Sequence, residues 1–210
     1  MSIKPKYRDD IDGLRAIAVI SVILFHADFE MFGGGYLGVD IFFVISGFLI
    51  TSNIISEIEL KKFRIRHFYA KRALRLLPAL YVVLLVSIPF FWFWMLPHQL
   101  KSFGESLVAV TLFLSNIFFW RESGYFSSIS KEMPLLHTWS LGVEEQYYIF
   151  FPIFMLIFFR YNLKPLLVIW VVAILSFILS EWGWRNTSQA SFYLMPTRAW
   201  EILIGSILAF

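Results

Sequence analysis

Long apolar stretches alternate with short polar ones along the whole chain. Residues 78–96 and 165–180 contain no charged side chain, and neither do 107–120 and 146–159. A helix needs about 20 mainly apolar residues to cross a hydrocarbon core of roughly 30 Å. The pattern therefore predicts an all-α, polytopic transmembrane helix bundle. The expected spans are 14–29, 36–56, 78–96, 104–120, 142–159 and 165–181, with a seventh that begins at 198.

The composition agrees with a membrane protein and indicates a part of one. Charged residues make up 16% of the 210 residues, whereas soluble domains carry roughly 25%. The seventh predicted span stops at Phe210, and a terminal carboxylate is costly at mid-membrane depth. We therefore expect residues 1–210 to be the N-terminal part of a longer membrane domain. Cysteine is absent, which excludes disulfides and thiol chemistry within these residues.

The charges that flank the spans predict the orientation of the chain. Cationic residues occur at the N-terminus and between the second and third spans, at Lys4, Lys6, Arg8, Lys61, Lys62, Arg64, Arg66, Lys71, Arg72 and Arg75. Segments rich in lysine and arginine stay in the cytoplasm. We therefore expect a cytoplasmic N-terminus, with residues 28–35 outside. Beyond the fourth span the orientation stays open, because the charges within residues 121–132 cancel.

Ionisable residues within predicted spans are candidates for function, because burying them in a membrane is costly. Arg15 and His26 are eleven residues apart, which leaves a net rotation of about 20° and a separation of roughly 16 Å along one helix face. Asp40, near the start of the antiparallel second span, is expected at the depth of His26. A carboxylate beside an imidazole orients a general base. The alternatives are an interfacial histidine and a helix-entry carboxylate.

Two further groups of polar residues carry candidate chemistry. Arg72 and Arg75 are neighbours on a helix before Pro78, where they can bind anionic lipid or a phosphorylated ligand from the cytoplasm. Composition does not separate these two interpretations. Glu144 shares a helix face with Tyr148, and a carboxylate that enters a span needs a partner or a catalytic role. Nothing in the sequence indicates a metal site or a nucleic-acid partner.

Four ordered stretches carry a resemblance to a known family. They are residues 12–26 with an Arg-x10-His pattern, 35–51 around Gly-Val-Asp-Ile-Phe-Phe-Val-Ile-Ser-Gly, 71–78 with Lys-Arg-Ala-Leu-Arg, and 136–147 with His-Thr-Trp-Ser-Leu-Gly-Val-Glu-Glu-Gln-Tyr. Together they resemble the motifs of the bacterial membrane acyltransferase 3 family. The long central motif is similar to that of members that carry a periplasmic SGNH domain after the membrane core.

The resemblance implies a core of about ten helices in the bacterial inner membrane. It also implies transfer of an acyl group, usually acetyl, from acetyl-CoA as donor substrate to a hydroxyl of a surface glycan. The acceptor would be an O-antigen of lipopolysaccharide, peptidoglycan or an exopolysaccharide. His26 would be the catalytic histidine, whereas Asp40 and Glu144 are catalytic candidates because of their positions in the predicted spans. Arg15, Arg72 and Arg75 would bind the donor phosphates or guide the acyl group. No bound cofactor is expected; membrane lipid, acyl-CoA and the glycan are the expected partners.

Two other interpretations stay open. In a proton-coupled secondary transporter, His26, Asp40 and Glu144 would form a proton relay. Such transporters often contain inverted repeats and matched broken helices, whereas the sequence shows only Pro89 inside one span and no counterpart. A non-catalytic fragment is the other alternative, because the last span is incomplete.

Overall fold

The computed structural model describes residues 8–123 and 133–210, and these residues form helices and no strand. Lys4, Lys6, Lys131 and Glu132, which entered the prediction of orientation, lie outside the described residues. The α-helices are α1 (Asp9–His26), α2 (Gly38–Glu59), α3 (Ile65–Trp94), α4 (Pro97–Thr111), α5 (Ser115–Ser123), α6 (Trp139–Arg160), α7 (Pro165–Asn186), α8 (Ser188–Tyr193) and α9 (Met195–Leu208). Short 3-10 turns at Glu30–Phe32, Gly35–Leu37 and Leu136–Thr138 precede α2 and α6.

The all-α polytopic bundle is confirmed. Four helical segments are long and apolar enough to cross a membrane, namely Gly35–Glu59, Ile65–Trp94, Leu136–Arg160 and Pro165–Asn186. They correspond to the second, third, fifth and sixth predicted spans. α3 starts at Ile65, well before the predicted residue 78, so that Pro78 lies inside the helix and the basic residues before it form its first turns. α1 covers most of the first predicted span, but its first turn carries three aspartates.

The prediction of one continuous helix over 104–120 is wrong. α4 ends at Thr111, Phe113 adopts a left-handed conformation with φ of 57°, and α5 starts at Ser115. Carbonyl groups freed by a break need partners inside a bundle. Gln146 of α6 supplies one, since its Nε2 donates to the Phe113 carbonyl at 3.0 Å and to Asn116 Oδ1 at 2.8 Å. The apolar run predicted a span because hydropathy does not register these polar partners.

Glycines set the closest helix contact in the bundle. A Cβ atom on Gly47 of α2 would overlap the Ile202 carbonyl oxygen, and one on Gly205 of α9 would overlap the Val44 carbonyl oxygen. Gly47 therefore gives α2 a small-residue packing surface against α9. Small residues allow helix backbones to approach in this way.

Replacement of Gly47 by alanine is expected to force α2 and α9 apart and to lower the free energy of unfolding by about 1–3 kcal/mol, the range of overpacking. Gly104→Ala in α4 is the matched control, because a Cβ there meets nothing within 4 Å. Since alanine favours a helix over glycine, we expect this control to be as stable as the wild type or more stable by about 0.5–1 kcal/mol. Thermal unfolding in detergent measures both. Equal loss in the two variants would contradict the packing role of Gly47.

Candidate active site

A cationic cavity of about 600 Å³ opens between α1, α2, α3 and α6. The three arginines that the sequence predicts as donor-binding residues, Arg15, Arg72 and Arg75, all line it, together with Arg8 just before α1. The fold therefore brings the start of α1 and the first turns of α3 to one end of the bundle. Asn53, near the end of α2, closes the same end.

These arginines differ in how far their charges are neutralised. Arg8 donates to both carboxylate oxygens of Asp10 at 2.8 and 2.7 Å, and this hydrogen bonding lowers the pKa of Asp10 to about 2, so Asp10 stays ionised at neutral pH. Arg15 pairs with Asp12 at 3.6 Å. Arg75 forms no hydrogen bond or ion pair with any residue that the structure describes. Arg75 therefore offers the cavity an unneutralised charge.

Arg72 pairs with a carboxylate of α6. Its Nε and Nη2 donate to Oε1 of Glu145 at 2.8 and 2.7 Å, and its Cζ lies 3.4 Å from the centre of the Tyr148 ring. The side chains of Arg72 and Glu145 are 20% and 7% exposed. α3 has few further contacts with the bundle, among them the hydrogen bond that Tyr69 donates to the Ile149 carbonyl at 2.6 Å and the 3.3 Å ion pair of Lys71 with Glu57 of α2. The Arg72–Glu145 pair therefore holds the cationic end of α3 against α6.

A histidine cavity of about 320 Å³ lies at the opposite end of α1, between α1, α2 and the start of α6. His26 and His137 both line it, although 111 positions separate them in the sequence. Both imidazole rings are exposed. Ser140 lines the cavity as well, but its hydroxyl donates to the His137 carbonyl at 3.3 Å and to neither imidazole.

The hydrogen bond of His26 determines which ring nitrogen can act as a base. Nδ1 lies 2.8 Å from the carbonyl oxygen of Val22, one helical turn earlier. A carbonyl only accepts, so Nδ1 carries the proton of the neutral ring and Nε2 keeps its lone pair. The α1 backbone therefore supplies the orientation that sequence analysis expected from Asp40.

The predicted pairing of Asp40 with His26 is wrong. Asp40 accepts a hydrogen bond from Arg198 of α9, and Arg198 also contacts Glu201 with an Nη1–Oε1 distance of 3.1 Å. No hydrogen bond joins Asp40 and His26 within 8–123 and 133–210. The predicted face of Asp40 was wrong, because Asp40 lies on the face of α2 that packs against α9, along with Gly47.

Glu144 lines both cavities. Its Oε1 accepts a hydrogen bond of 2.8 Å from the hydroxyl of Ser46 on α2. This contact joins α2 to α6 through a polar pair. Glu144 and Tyr148 both line the cationic cavity, which confirms that they share a helix face.

One continuous stripe of residues connects the two cavities on each of three helices. Lining residues recur every three or four positions, at Arg8, Ile11, Arg15, Val19, Val22 and His26 from just before α1 to its end, Val39, Phe42, Ser46, Leu49 and Asn53 along α2, and His137, Leu141, Glu144 and Tyr148 from the turn before α6 into that helix. At 1.5 Å per residue the stripe on α1 extends about 27 Å. That length is close to the hydrocarbon thickness of roughly 30 Å.

Comparison with known proteins assigns the sequence of this chain to a family. The family model described as "Acyltransferase domain" matches residues 8–210. The chain belongs to the acyltransferase 3 family. The match covers all six residues that the sequence predicts as catalytic or donor-binding.

Several relatives in the family are named O-acetyltransferases. The chain is 36% identical to the peptidoglycan O-acetyltransferase OatA of Listeria monocytogenes over 98% of its own length and 34% of that protein's. It is 35% identical to the O-acetyltransferase OatA of Staphylococcus aureus over 98% of its length and 35% of that protein's. The chain thus spans about a third of the length of these relatives. No solved structure matches it.

His137 was not among the predicted site residues, although it lines the histidine cavity with His26. The signal was its position at the start of the central motif, directly before the fifth predicted span. Its proximity to His26 depends on α6 lying beside α1, which helical periodicity within one segment cannot reveal.

Proposed function

We propose that this protein is a membrane O-acyltransferase that moves an acyl group, acetyl in the first instance, from cytoplasmic acyl-CoA to a hydroxyl of an extracytoplasmic glycan. The observation that carries the proposal is the line of cavities through the bundle, with arginines at one end and histidines at the other. A cytoplasmic anionic donor and an external acceptor require such an arrangement.

The cationic cavity fits the phosphate groups of CoA. Arginine forms bidentate hydrogen bonds with phosphate, and its charge does not depend on pH in the physiological range. Arg75 has no partner among the described residues, and Arg15 has only the 3.6 Å contact with Asp12. Arg72 retains one guanidinium nitrogen, Nη1, that Glu145 does not occupy. Acetyl-CoA enters this scheme as the donor substrate.

The histidine cavity fits the transfer step. Nε2 of His26 takes the proton of the acceptor hydroxyl while the hydroxyl oxygen attacks the thioester carbonyl carbon. The new ester bond forms, the carbon–sulfur bond breaks, and the proton passes from His26 to the departing CoA thiolate. No acyl-enzyme is required, which agrees with the hydrogen bond of Ser140 to a carbonyl rather than to histidine.

Peptidoglycan is the acceptor that the relatives favour. The Listeria monocytogenes relative is named a peptidoglycan O-acetyltransferase, so we propose a peptidoglycan hydroxyl ahead of O-antigen or exopolysaccharide. The proposed location is the cytoplasmic membrane, with the N-terminus and the cationic cavity on the cytoplasmic side. The basic residues that surround this cavity support that orientation.

Reconstitution tests the proposal against the transporter alternative. The full-length gene product in proteoliposomes, supplied with labelled acetyl-CoA outside the vesicles and peptidoglycan fragments inside, is expected to form acetylated glycan. Empty vesicles and vesicles with the His26→Ala variant are the controls. Uptake of a solute driven by a proton gradient, with no acetylated product, would overturn the proposed function in favour of a transporter.

A further inference from the structure

The two cavities meet at one turn of α6. Leu141 and Glu144 are the residues, within the described part of the chain, that line both the cationic and the histidine cavity. They are three positions apart and share a helix face. A group that moves from one cavity to the other must therefore pass this pair.

The other two helices place the boundary at the same level. On α1 the lining changes from the cationic cavity at Arg15 to the histidine cavity at Val19. On α2 it changes between Phe43 and Ile45. Three helices thus agree on one boundary between the cavities near the middle of the stripe, and Leu141 of α6 lines this boundary with an apolar side chain.

A hydrogen bond between α2 and α6 fixes the polar side chain at this boundary. Ser46 of α2 donates to Glu144 of α6 at 2.8 Å, which joins the two helices directly beside Leu141. Leu141 is half-buried and, like Glu144, lines both cavities. An aliphatic side chain and a hydrogen-bonded carboxylate therefore flank the boundary between the two cavities.

We propose that Leu141 is a specificity-determining residue that limits the length of the acyl group reaching His26. The proposal rests on the proposed acyl transfer and adds its substrate class, a short acyl chain. Each additional methylene of the acyl group would compete with the isobutyl group of Leu141 for the same space. A mismatch of one methylene in an apolar pocket changes discrimination by about 10–200-fold.

Three variants of Leu141 test this role. The full-length gene product, in proteoliposomes, is supplied with acetyl-, propionyl- or butyryl-CoA, and kcat/KM is measured for each. We expect Leu141→Ala to raise the butyryl-to-acetyl ratio by about tenfold or more. Leu141→Trp is expected to lower transfer of all three groups while the Kd for CoA stays unchanged. Leu141→Met is the matched control, because it conserves volume and should keep the wild-type profile.

The outcomes separate this inference from the proposed function. An unchanged acyl-length profile in Leu141→Ala, with normal acetyl transfer by the wild type, overturns the role of Leu141 and leaves the acyltransferase intact. Absence of acetyl transfer in the wild type overturns the proposed function and the specificity role with it.

The proposed constriction at Leu141 also has a test that does not depend on catalysis. Residues 1–210 contain no cysteine, so Leu49→Cys in the cationic cavity and Phe42→Cys in the histidine cavity each introduce the only thiol of this stretch. A membrane-impermeant maleimide is expected to label each position from one side of the membrane only, as measured by mass spectrometry of the labelled peptide. Labelling of both positions from the same side would overturn the constriction.

Discussion

Replacement of His26 by alanine is expected to lower acyl transfer by about 10²–10⁴-fold, the range for loss of a general base. The reason is the orientation of the ring, in which Nδ1 is held by the Val22 carbonyl at 2.8 Å and Nε2 forms no hydrogen bond with any residue that the structure describes. His26 is exposed, so its removal should leave the free energy of unfolding within about 0.5 kcal/mol of the wild type. Acetylation of glycan is measured alongside the amount of protein in the membrane.

Two other variants sharpen this experiment. His98→Ala removes an exposed histidine at the start of α4, away from both cavities, and is expected to retain activity.

Asp40→Asn weakens the ion pair with Arg198 and should lower stability, while the pH dependence of the remaining activity follows the wild type. A pH profile shifted by Asp40→Asn would instead restore Asp40 as a partner of His26. Activity of His26→Ala within a few-fold of the wild type would rule out His26 as the base.

Replacement of Arg72 by leucine is expected to have the largest effect on stability. It leaves the Glu145 carboxylate, which is 7% exposed, without its partner, and breaking a buried ion pair in this way costs about 3–5 kcal/mol. α3 also loses one of the few contacts that hold its first turns against α6. Thermal unfolding in detergent measures the loss, and the KM for acetyl-CoA is expected to rise as well.

Arg75→Leu is the matched control on the same helix. Arg75 is exposed and has no described partner, so its replacement should change the free energy of unfolding by at most about 0.5 kcal/mol while raising the KM for acetyl-CoA. The double variant Arg72→Leu/Glu145→Leu should recover most of the lost stability, since replacing both members of a buried pair is close to neutral. Equal unfolding temperatures for Arg72→Leu and Arg75→Leu would contradict the anchoring role of Arg72.

The sequence predicted the alignment of site residues along one helix better than it predicted contacts between two helices. Arg15 and His26 share a stripe on α1, as the 100° rotation per residue requires. Asp40 was assigned to the wrong neighbour because its depth follows from the order of spans, whereas its direction follows from how α2 is rotated. That rotation is set by α9, which approaches α2 at Gly47. No local pattern near Asp40 carries this information.

The broken fourth span illustrates a second kind of error. Hydropathy sums the apolar side chains from 104 to 120 and registers one span, although the chain turns at Phe113. The break is stabilised by Gln146 and Ser115, which bond to groups on other segments, at the Phe113 and Thr138 carbonyls respectively. A break of this kind is stable only when such partners come from elsewhere in the fold.

The sequence by itself determined the membrane bundle and the shared helix face of Arg15 and His26, because apolar run length and helical periodicity are local properties of the chain, and its four motifs indicated the family. Tertiary structure alone decided that α6 brings His137 beside His26, that Arg72 binds Glu145, and that Asp40 belongs to Arg198. Helix packing makes these choices, since the rotation and neighbour of each helix depend on close contacts between segments distant in sequence.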